Sequence, residues 1–256
     1  MIVEYPLTKA NRIRLGSAFR DVPRVDLTID CVLEGQMGRV YVDDLARPQV
    51  HQIQTAPFVY FAGDPASPAA QEFFLNLSPF ALLMPSAPGW IEAVQTAYGE
   101  RLESFDRYSM NSAGLSADHL AALARSTPYG EWVRPMDRAL VESLWGKEHF
   151  VDLSEYDSAD DFLERGVGFY VPAGTTVAGA AFASLVCSRG IEISIYVQDK
   201  YRRQGMATAL AANLLLWCLE RRLEPHWDAA NPESCSLALK LGYKFAGNYQ
   251  AYYLVE

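Results

Sequence analysis

The residue types that point to chemistry in this 256-residue chain cluster between 190 and 243. Arg202-Arg203-Gln204-Gly205-Met206-Ala207 leads through Thr208 into a stretch in which Ala207, Leu210, Ala211, Leu214, Leu215 and Cys218 recur at helical spacing. Small residues at Gly205 and Ala207 let the main chain approach a ligand closely. The N–H groups of a helix's first turn point outward, and the helix dipole favours negative charge there. The turn is therefore predicted to cradle an anion of the pyrophosphate kind. Arg202 and Arg203 could also be plain solvated turn residues, but Gly205 and the helix start sit where an anion site needs them. Just before the turn, Ile191, Ile193, Ile195 and Val197 alternate with Glu192, Ser194 and Tyr196. One face of that strand is predicted to be core and the other the wall of a site.

Beyond the helix, the strand Pro225–Ala229 carries His226 and Asp228 on the face opposite Trp227, which reads as core. Asn231-Pro232 is an N-cap followed by proline at the first helical position, which explains both residues without a function, and Ser234 falls in that helix's first turn. Cys31, Cys187, Cys218 and Cys235 form no CxxC pair and no zinc-like spacing with His51, His119, His149 and His226, so reduced packing thiols and no metal are expected. His149 reads as a surface or capping residue. Gly35-Gln36-Met37-Gly38 precedes a strand and is predicted to be a tight hairpin turn, and Asp43-Asp44 a strand-end turn.

The elements that must position these residues follow from the hydrophobic pattern. From Asp26 to Ala62 the runs LTIDCVLEG, RVYVDD, VHQIQT and FVYFAGD predict a meander of strands. A helix at 68–76, a strand in FALLM, a helix at 89–98, a strand at 103–109 and a helix at 116–124 complete the first half. The turn-rich stretch 126–130 is the predicted boundary, giving domains 1–126 and 127–256. The second half reads as a strand at 132–134, a helix at 137–144, strands at 168–171, 176–186 and 190–197, a helix at 205–221, a strand at 225–229, a helix at 232–241 and a hairpin over 243–255. No repeat period is visible. Half of the residues are hydrophobic and 21% charged, a folded rather than disordered mixture. Lys and Arg number 22 against 31 Asp and Glu, so no broad basic face is available and nucleic-acid binding is not expected. The N-terminus shows no apolar signal-like run, and Met206–Leu219 is too short to span a bilayer, so a soluble cytoplasmic protein without membrane contact is expected.

The turn at 202–207 resembles the acyl-CoA loop of the GNAT acyltransferase superfamily, Arg/Gln-x-x-Gly-x-Gly/Ala, matched by Arg202, Gly205 and Ala207. The stretch HWDAANPESCSLALKLGYKFAG is similar to that family's second cofactor segment. The resemblance covers roughly 130–256 and extends to a bacterial group with an extra N-terminal α/β domain, similar at LEGQMGRVYVDD and FVYFAGDP. It implies acetyl-CoA as co-substrate, with Arg202, Arg203, Gln204, Gly205, Met206, Ala207 and Thr208 around the pyrophosphate. It further implies that strands 190–197 and 225–229 splay apart, with backbone at Tyr196, Val197 and Gln198 for the pantetheine and Asn231 and Ser234 beside it. An N–H near Val197 would stabilise the oxyanion. Glu192 would be the general base, its alternative being a surface carboxylate paired with Arg189. His226 and Asp228 are either amine anchor and auxiliary base or hydrogen-bonded structural groups. Many members carry a tyrosine seven residues after the helix-starting asparagine; here that position is Ala238, which leaves Tyr243, Tyr249, Tyr252, Tyr253 or water as proton donor.

The expectation is a mixed α/β (α+β) enzyme of two domains, a C-terminal GNAT-type fold preceded by a smaller mixed α/β domain. That first domain is a degenerate GNAT-like copy, a wall of the acceptor pocket or a dimerisation surface, so a homodimer is compatible. The expected activity is transfer of an acetyl group from acetyl-CoA to a primary amine of a small molecule by direct attack in a ternary complex. Two other classes stay open, a non-catalytic CoA-binding regulator and an aminoacyl-type transferase of two tandem GNAT-like domains.

Overall fold

The computed structural model describes residues 1–55, 57–75, 77–78, 80–147, 150–174 and 176–255. The chain divides into two compact units, Met1–Arg107 with Asn248–Glu256, and Tyr108–Gly247.

In the first unit the chain runs β1 (Val3–Glu4), α1 (Lys9–Ala18), α2 (Thr28–Glu34), β2 (Arg39–Val42), β3 (Val50–Thr55), β4 (Phe58–Gly63), α3 (Pro68–Leu75), β5 (Leu82–Leu83), α4 (Trp90–Tyr98) and into β6 (Leu102–Asn111). β1 to β4 are antiparallel neighbours, and β5 lies parallel to β4. Alternation sorts the strand residues to two faces. Val40, Val42, Ile53, Tyr60 and Ala62 pack with Leu15, Phe19, Ile29 and Val32 of the α1–α2 side. Val50, Val59, Phe61 and Leu83 pack with Phe73, Phe74, Trp90 and Val94 of α3 and α4. The expected meander is thus present in β2–β4, but its first run, LTIDCVLEG, is the helix α2. Thr28, Ile29, Cys31 and Val32 are its buried residues, a helical and not an alternating set. Asp26 Oδ1 accepts from Thr28 N–H at its start, and Gly35 ends it in the left-handed conformation (φ 69°). Gly35 is therefore a helix C-cap rather than a hairpin turn. Asp43 and Asp44 do form a turn, accepting from the backbone N–H groups of Gln49 and Val50 and of Ala46 and Arg47.

The second unit holds α5 (Ala117–Ser126), β7 (Arg134–Pro135), α6 (Arg138–Leu144), α7 (Ala159–Arg165), β8 (Gly168–Ala173), β9 (Thr176–Val186), β10 (Gly190–Val197), α8 (Met206–Arg221), β11 (Glu224–Ala229), α9 (Pro232–Leu241) and the start of β12 (Lys244–Leu254). Its strand order is β6-β11-β10-β9-β8-β7, with the β10–β11 pair parallel and the other pairs antiparallel. α8 is apolar on most sides because it has neighbours on most sides. Leu210, Leu214 and Cys218 meet β8–β10, while Ala211, Ala212 and Leu215 meet α5, β11 and α9. That packing places α5 in this unit, so the compact division falls inside β6 rather than at 126/127. The expected hairpin over 243–255 is one strand, β12, whose Tyr252 and Tyr253 pair with Leu83 and Leu82 of β5. Its last residues complete the first unit's sheet, as the last residues of β6 complete the second's.

The order β-α-α-β-β-β-α-β-α-β occurs twice, over β1–β6 with α1–α4 and over β7–β12 with α6–α9. The repeat is one of topology. Among the described residues no helix is long and apolar enough to cross a membrane.

The β10–β11 pair is held close by a missing side chain, since a Cβ at Gly190 would overlap the Glu224 carbonyl. Gly190→Ala is expected to destabilise the protein by about 2 kcal/mol through overpacking, read as a lower midpoint in thermal unfolding; an unchanged midpoint would show that the contact is soft.

Candidate active site

β10 and β11 are joined by ladder pairs only at Gly190–Glu224, Ile191–Pro225 and Glu192–His226. Beyond them β11 leaves β10 and pairs instead with β6, Trp227 to Met110, Asp228 to Ser109 and Ala229 to Tyr108. At the same point the β10–β9 register slips past Ser184, whose hydroxyl donates to the Glu192 carbonyl at 3.3 Å. A bulge of this kind increases local twist and helps the strands part. Gln198 N–H donates to Ala178 C=O at 2.9 Å, which fixes the phase of the ladder. Residues 194, 196 and 198 bond to β9, so the N–H and C=O groups of Ile195 and Val197 face the gap. Of the backbone run Tyr196–Gln198, Val197 is thus the residue whose amide is turned to the notch. Arg202 Nε donates to its carbonyl at 2.9 Å.

The gap opens into a cavity of about 770 Å³ lined by Ile195, Tyr196 and Val197, by the turn Tyr201–Thr208, by Trp227 and by the α9 side from Asn231 to Lys240. Arg203 (φ 62°) and Gly205 (φ 88°) both take left-handed backbone, and Gly205 is the N-cap of α8 with no side chain over the first turn. The N–H groups of Met206, Ala207 and Thr208 have no carbonyl within the helix to bond. Thr127 stands 3.5 Å from where a Gly205 Cβ would lie, and Tyr129 donates to Gln204 Oε1 at 2.8 Å, so the turn is buttressed from outside. The turn expected at 202–208 thus presents uncapped main-chain N–H groups at the start of α8.

Its side chains divide differently from expectation. Arg202 is turned back on the protein, with Asp199 Oδ1 at 2.9 Å and its guanidinium over the Tyr196 ring, which stacks on Phe150. Gln204 Nε2 donates to Lys200 C=O, and the Met206 side chain is buried core. Asn231 Oδ1 caps α9 by accepting from Ser234 N–H at 2.8 Å, with Pro232 at the first helical position, and Ser234 Oγ accepts from Trp227 Nε1 at 3.1 Å. Both nevertheless line the cavity. Lys240, which the sequence did not single out, projects from the last turn of α9 and donates through Nζ to Thr208 Oγ1 at 3.2 Å. The geometry that brings it there is a helix crossing that no local motif encodes.

Glu192 is 5% exposed and sits at the apex where the strands part. Arg189, the alternative partner expected for it, lies 2.9 Å from Glu224 through Nε. Glu192 Oε2 lies 2.9 Å from His226 Nδ1, and Oε1 accepts from Asp228 N–H at 3.3 Å. Tyr243 is core: its hydroxyl donates to the Pro225 carbonyl at 2.7 Å, and burial holds its phenol well above the usual range. Tyr249, Tyr252 and Tyr253 belong to the first unit. There the Tyr249 hydroxyl accepts from Arg107 Nε, and the Tyr252 and Tyr253 hydroxyls donate to Gln250 and Glu103. Ala238 is buried. His149 lies outside the described residues. No group of three metal-ligating side chains occurs among the described residues.

The corresponding place in the first unit is closed. After Phe58–Leu82 and Val59–Leu83, β4 stays fastened to the segment following β5: Met84 N–H donates to Val59 C=O, Ser86 Oγ accepts from Phe61 N–H, and Ala87 N–H donates to Phe61 C=O, all at 2.9–3.0 Å. Phe61 and Trp90 stack at 4.7 Å, and Trp90 Nε1 donates to Gly63 C=O. Among the described residues, the Val59 carbonyl, both Phe61 main-chain groups and the Gly63 carbonyl are taken up in this way.

A parallel strand pair that parts to expose backbone amides beside an uncapped helix N-terminus defines an acyl-transfer fold of the GNAT type. The family model described as GNAT acetyltransferase matches residues 20–252, and the chain belongs to that family. It is similar over 97% of its length, at 31% identity and a TM-score of 0.83, to the whole of a GCN5-related N-acetyltransferase-like protein of Streptococcus suis 89/1591. An uncharacterized N-acetyltransferase of Bacillus subtilis strain 168, YdfB, is 25% identical over 263 residues, 99% of each chain. A GNAT acetyltransferase of Colwellia psychrerythraea shares the fold end to end at 10% identity and a TM-score of 0.51.

The thiols stand apart from this site chemically. Cys31, Cys187 and Cys218 are buried, burial pushes the Cys218 thiol up to about 12, and Cys235 is half-buried beside Met110. At most one of the four thiols is expected to react with a disulfide reagent in the native protein at pH 8, and all four after denaturation; rapid native labelling of two or more would contradict the packing.

Proposed function

We propose that the chain transfers an acetyl group from acetyl-CoA to a primary amine of a small molecule by direct attack within a ternary complex. The observation that carries this reading is the notch between β10 and β11, with its cavity of about 770 Å³ ending at the bare N-terminus of α8. The residues present fit such a ligand. Main-chain N–H groups from Arg203 to Thr208 would hold the pyrophosphate, with Lys240 as the cation beside them and Arg202 stiffening the turn. The Val197 amide would pair with the pantetheine arm or meet the oxyanion of the tetrahedral intermediate. Asn231 and Ser234 would flank the arm from α9. Glu192, on the face of β10 opposite the packed isoleucines, is the carboxylate toward which the amine's proton would leave. An acidic face with Glu192 and Asp228 suits a cationic acceptor, in keeping with a net charge of −9.

A second reading, a coenzyme-binding regulator without turnover, draws on Ala238 standing where many family members carry a tyrosine and on the burial of Tyr243, whose hydroxyl is taken by the Pro225 carbonyl. A panel of primary amines incubated with acetyl-CoA and read by thiol release separates the two, with turnover expected for at least one cationic amine and none for the regulator.

Gly205→Asp tests the cradle. Asp tolerates the left-handed backbone of that residue better than most side chains do, so the fold is expected to persist. Its carboxylate would face the phosphates, and affinity for CoA is expected to fall by roughly 100-fold or more in calorimetry. Unchanged affinity would remove the cradle from the site. Because the equivalent strands of the first unit are fastened together, the wild-type titration is expected to give one CoA per chain.

A further inference from the structure

Arg202 is held in three directions. Its Nε donates to the Val197 carbonyl at 2.9 Å, its Nη2 lies 2.9 Å from Asp199 Oδ1, and its guanidinium carbon stands 5.8 Å from the centre of the Tyr196 ring, within cation–π reach. The Asp199 contact is open to water, the two side chains being 54% and 85% exposed, so it is screened and fixes little. Carbonyl and ring are the holds that remain. The ring is itself clamped, because Phe150 stacks on it with centroids 3.9 Å apart and planes 23° from parallel. Phe150 belongs to the connection between α6 and α7, which is anchored just beyond it. Val151 and Leu153 are buried, and the Tyr156 hydroxyl donates to the Ala183 carbonyl of β9 at 3.0 Å. A stack thus runs from the α6–α7 connection through Tyr196 to Arg202 and on to the peptide between Val197 and Gln198. That peptide is bonded from both sides, its carbonyl accepting from Arg202 and its N–H donating to Ala178 C=O.

We propose that Tyr196 is a positioning residue whose ring, clamped by Phe150, seats Arg202 and through it fixes the joint between the notch and the turn before α8, so that coenzyme binding is coupled to the α6–α7 connection. The inference rests on the coenzyme-binding part of the reading above and adds the contacts that hold the site in shape before a ligand arrives. The joint is the place where β10 ends and an extended ligand must pass from strand-edge amides to first-turn amides. With Arg202 off the ring, the Val197 carbonyl loses its donor and the turn loses a tether. The ligand must then order both on binding, and that ordering lowers affinity. Phe150 is not among the described residues that line the cavity, whereas Tyr196 and Arg202 are. An effect of Phe150 on the coenzyme therefore travels through the stack, and by linkage the coenzyme steadies Phe150 to the same degree.

The test is a double-mutant cycle on the full chain, with affinity for CoA read by calorimetry. Phe150→Leu is expected to weaken CoA binding about threefold to tenfold, the range of a lost aromatic contact. Arg202→Ala is expected to weaken it about tenfold, the range of a lost hydrogen bond from a charged group. In the Arg202→Ala background, Phe150→Leu is expected to change affinity by less than about twofold, because the stack then ends at the ring. Tyr196→Leu is expected to weaken binding as Arg202→Ala does, and Tyr196→Phe, which keeps the ring, to restore most of that loss. Thermal melting checks that each variant is folded, and Tyr196→Leu carries the same cycle with Arg202→Ala should Phe150→Leu melt early. Losses that multiply in the double variant overturn the coupling. So does a Phe150→Leu protein that is folded and binds CoA as the wild type does, or a Tyr196→Phe protein as weak as Tyr196→Leu. A wild-type chain that does not bind CoA overturns the coenzyme reading itself and the coupling with it, whereas wild-type binding with independent losses overturns the coupling alone.

Discussion

The second unit is organised around an incomplete ladder. Backbone N–H and C=O groups are almost always paired when they leave bulk water, and a parallel strand pair that parts after three residues breaks that rule on purpose or not at all. Here the break is sustained by structure on both sides. β11 gains a new partner in β6 at the residue where it loses β10, and β10 keeps β9 through the bulge at Ser184. The cost falls on a few groups of Ile195 and Val197 facing the gap, and one of these, the Val197 carbonyl, is answered by Arg202. What remains is a strip of main chain suited to an extended, amide-bearing ligand.

The two topological copies show what such a gap requires. In the first, the residues after β5 continue to bond β4, an indole stacks on Phe61, and α3 is a helix of eight residues entered through Ser67-Pro68. In the second, α8 has sixteen residues and is entered through a glycine with φ 88°. A short helix with a closed strand pair can serve as core; a long one whose first turn is bare presents a concentrated positive end. The same order of elements therefore yields a packed sheet in one unit and a ligand-shaped opening in the other. The difference lies in the segment after β5, in the Phe61–Trp90 stack, and in the length and entry of the helix.

Much of this was legible before any coordinates. The alternation in 190–197, the glycine at the helix start and the Asn-Pro entry to α9 are local signals, and local signals survive into the fold. The helix α2 was misread as a strand because TIDCVLE is seven residues with a β-branched start, and short apolar runs carry little period. The topological repeat left no period in the sequence because only the order of elements recurs, not the residues. Lys240 and the pairing of Glu192 with His226 were beyond reach for another reason. Each joins side chains on different elements, Thr208 with Lys240 and β10 with β11, and register between elements is not written in either segment alone. Arg202 shows the converse: it stands in the turn before α8, while its contacts, with the Val197 carbonyl and Asp199, depend on a loop conformation that composition does not specify.

The electrostatics of the proposed coenzyme site follow from that division of labour. The protein carries a net charge of −9, which opposes the approach of a polyanion at long range. At physiological ionic strength such repulsion is screened within about 8 Å, whereas first-turn amides act at hydrogen-bond distance and are already oriented. A side chain of high rotamer entropy, such as an exposed arginine, loses freedom when it closes on a phosphate; a backbone fixed by Tyr129, Thr127 and Arg202 loses little. Such a turn would bind by geometry more than by charge. Lys240, tethered to Thr208, is the cation among the lining residues whose position is held by a second helix. A site built this way can work within an acidic protein.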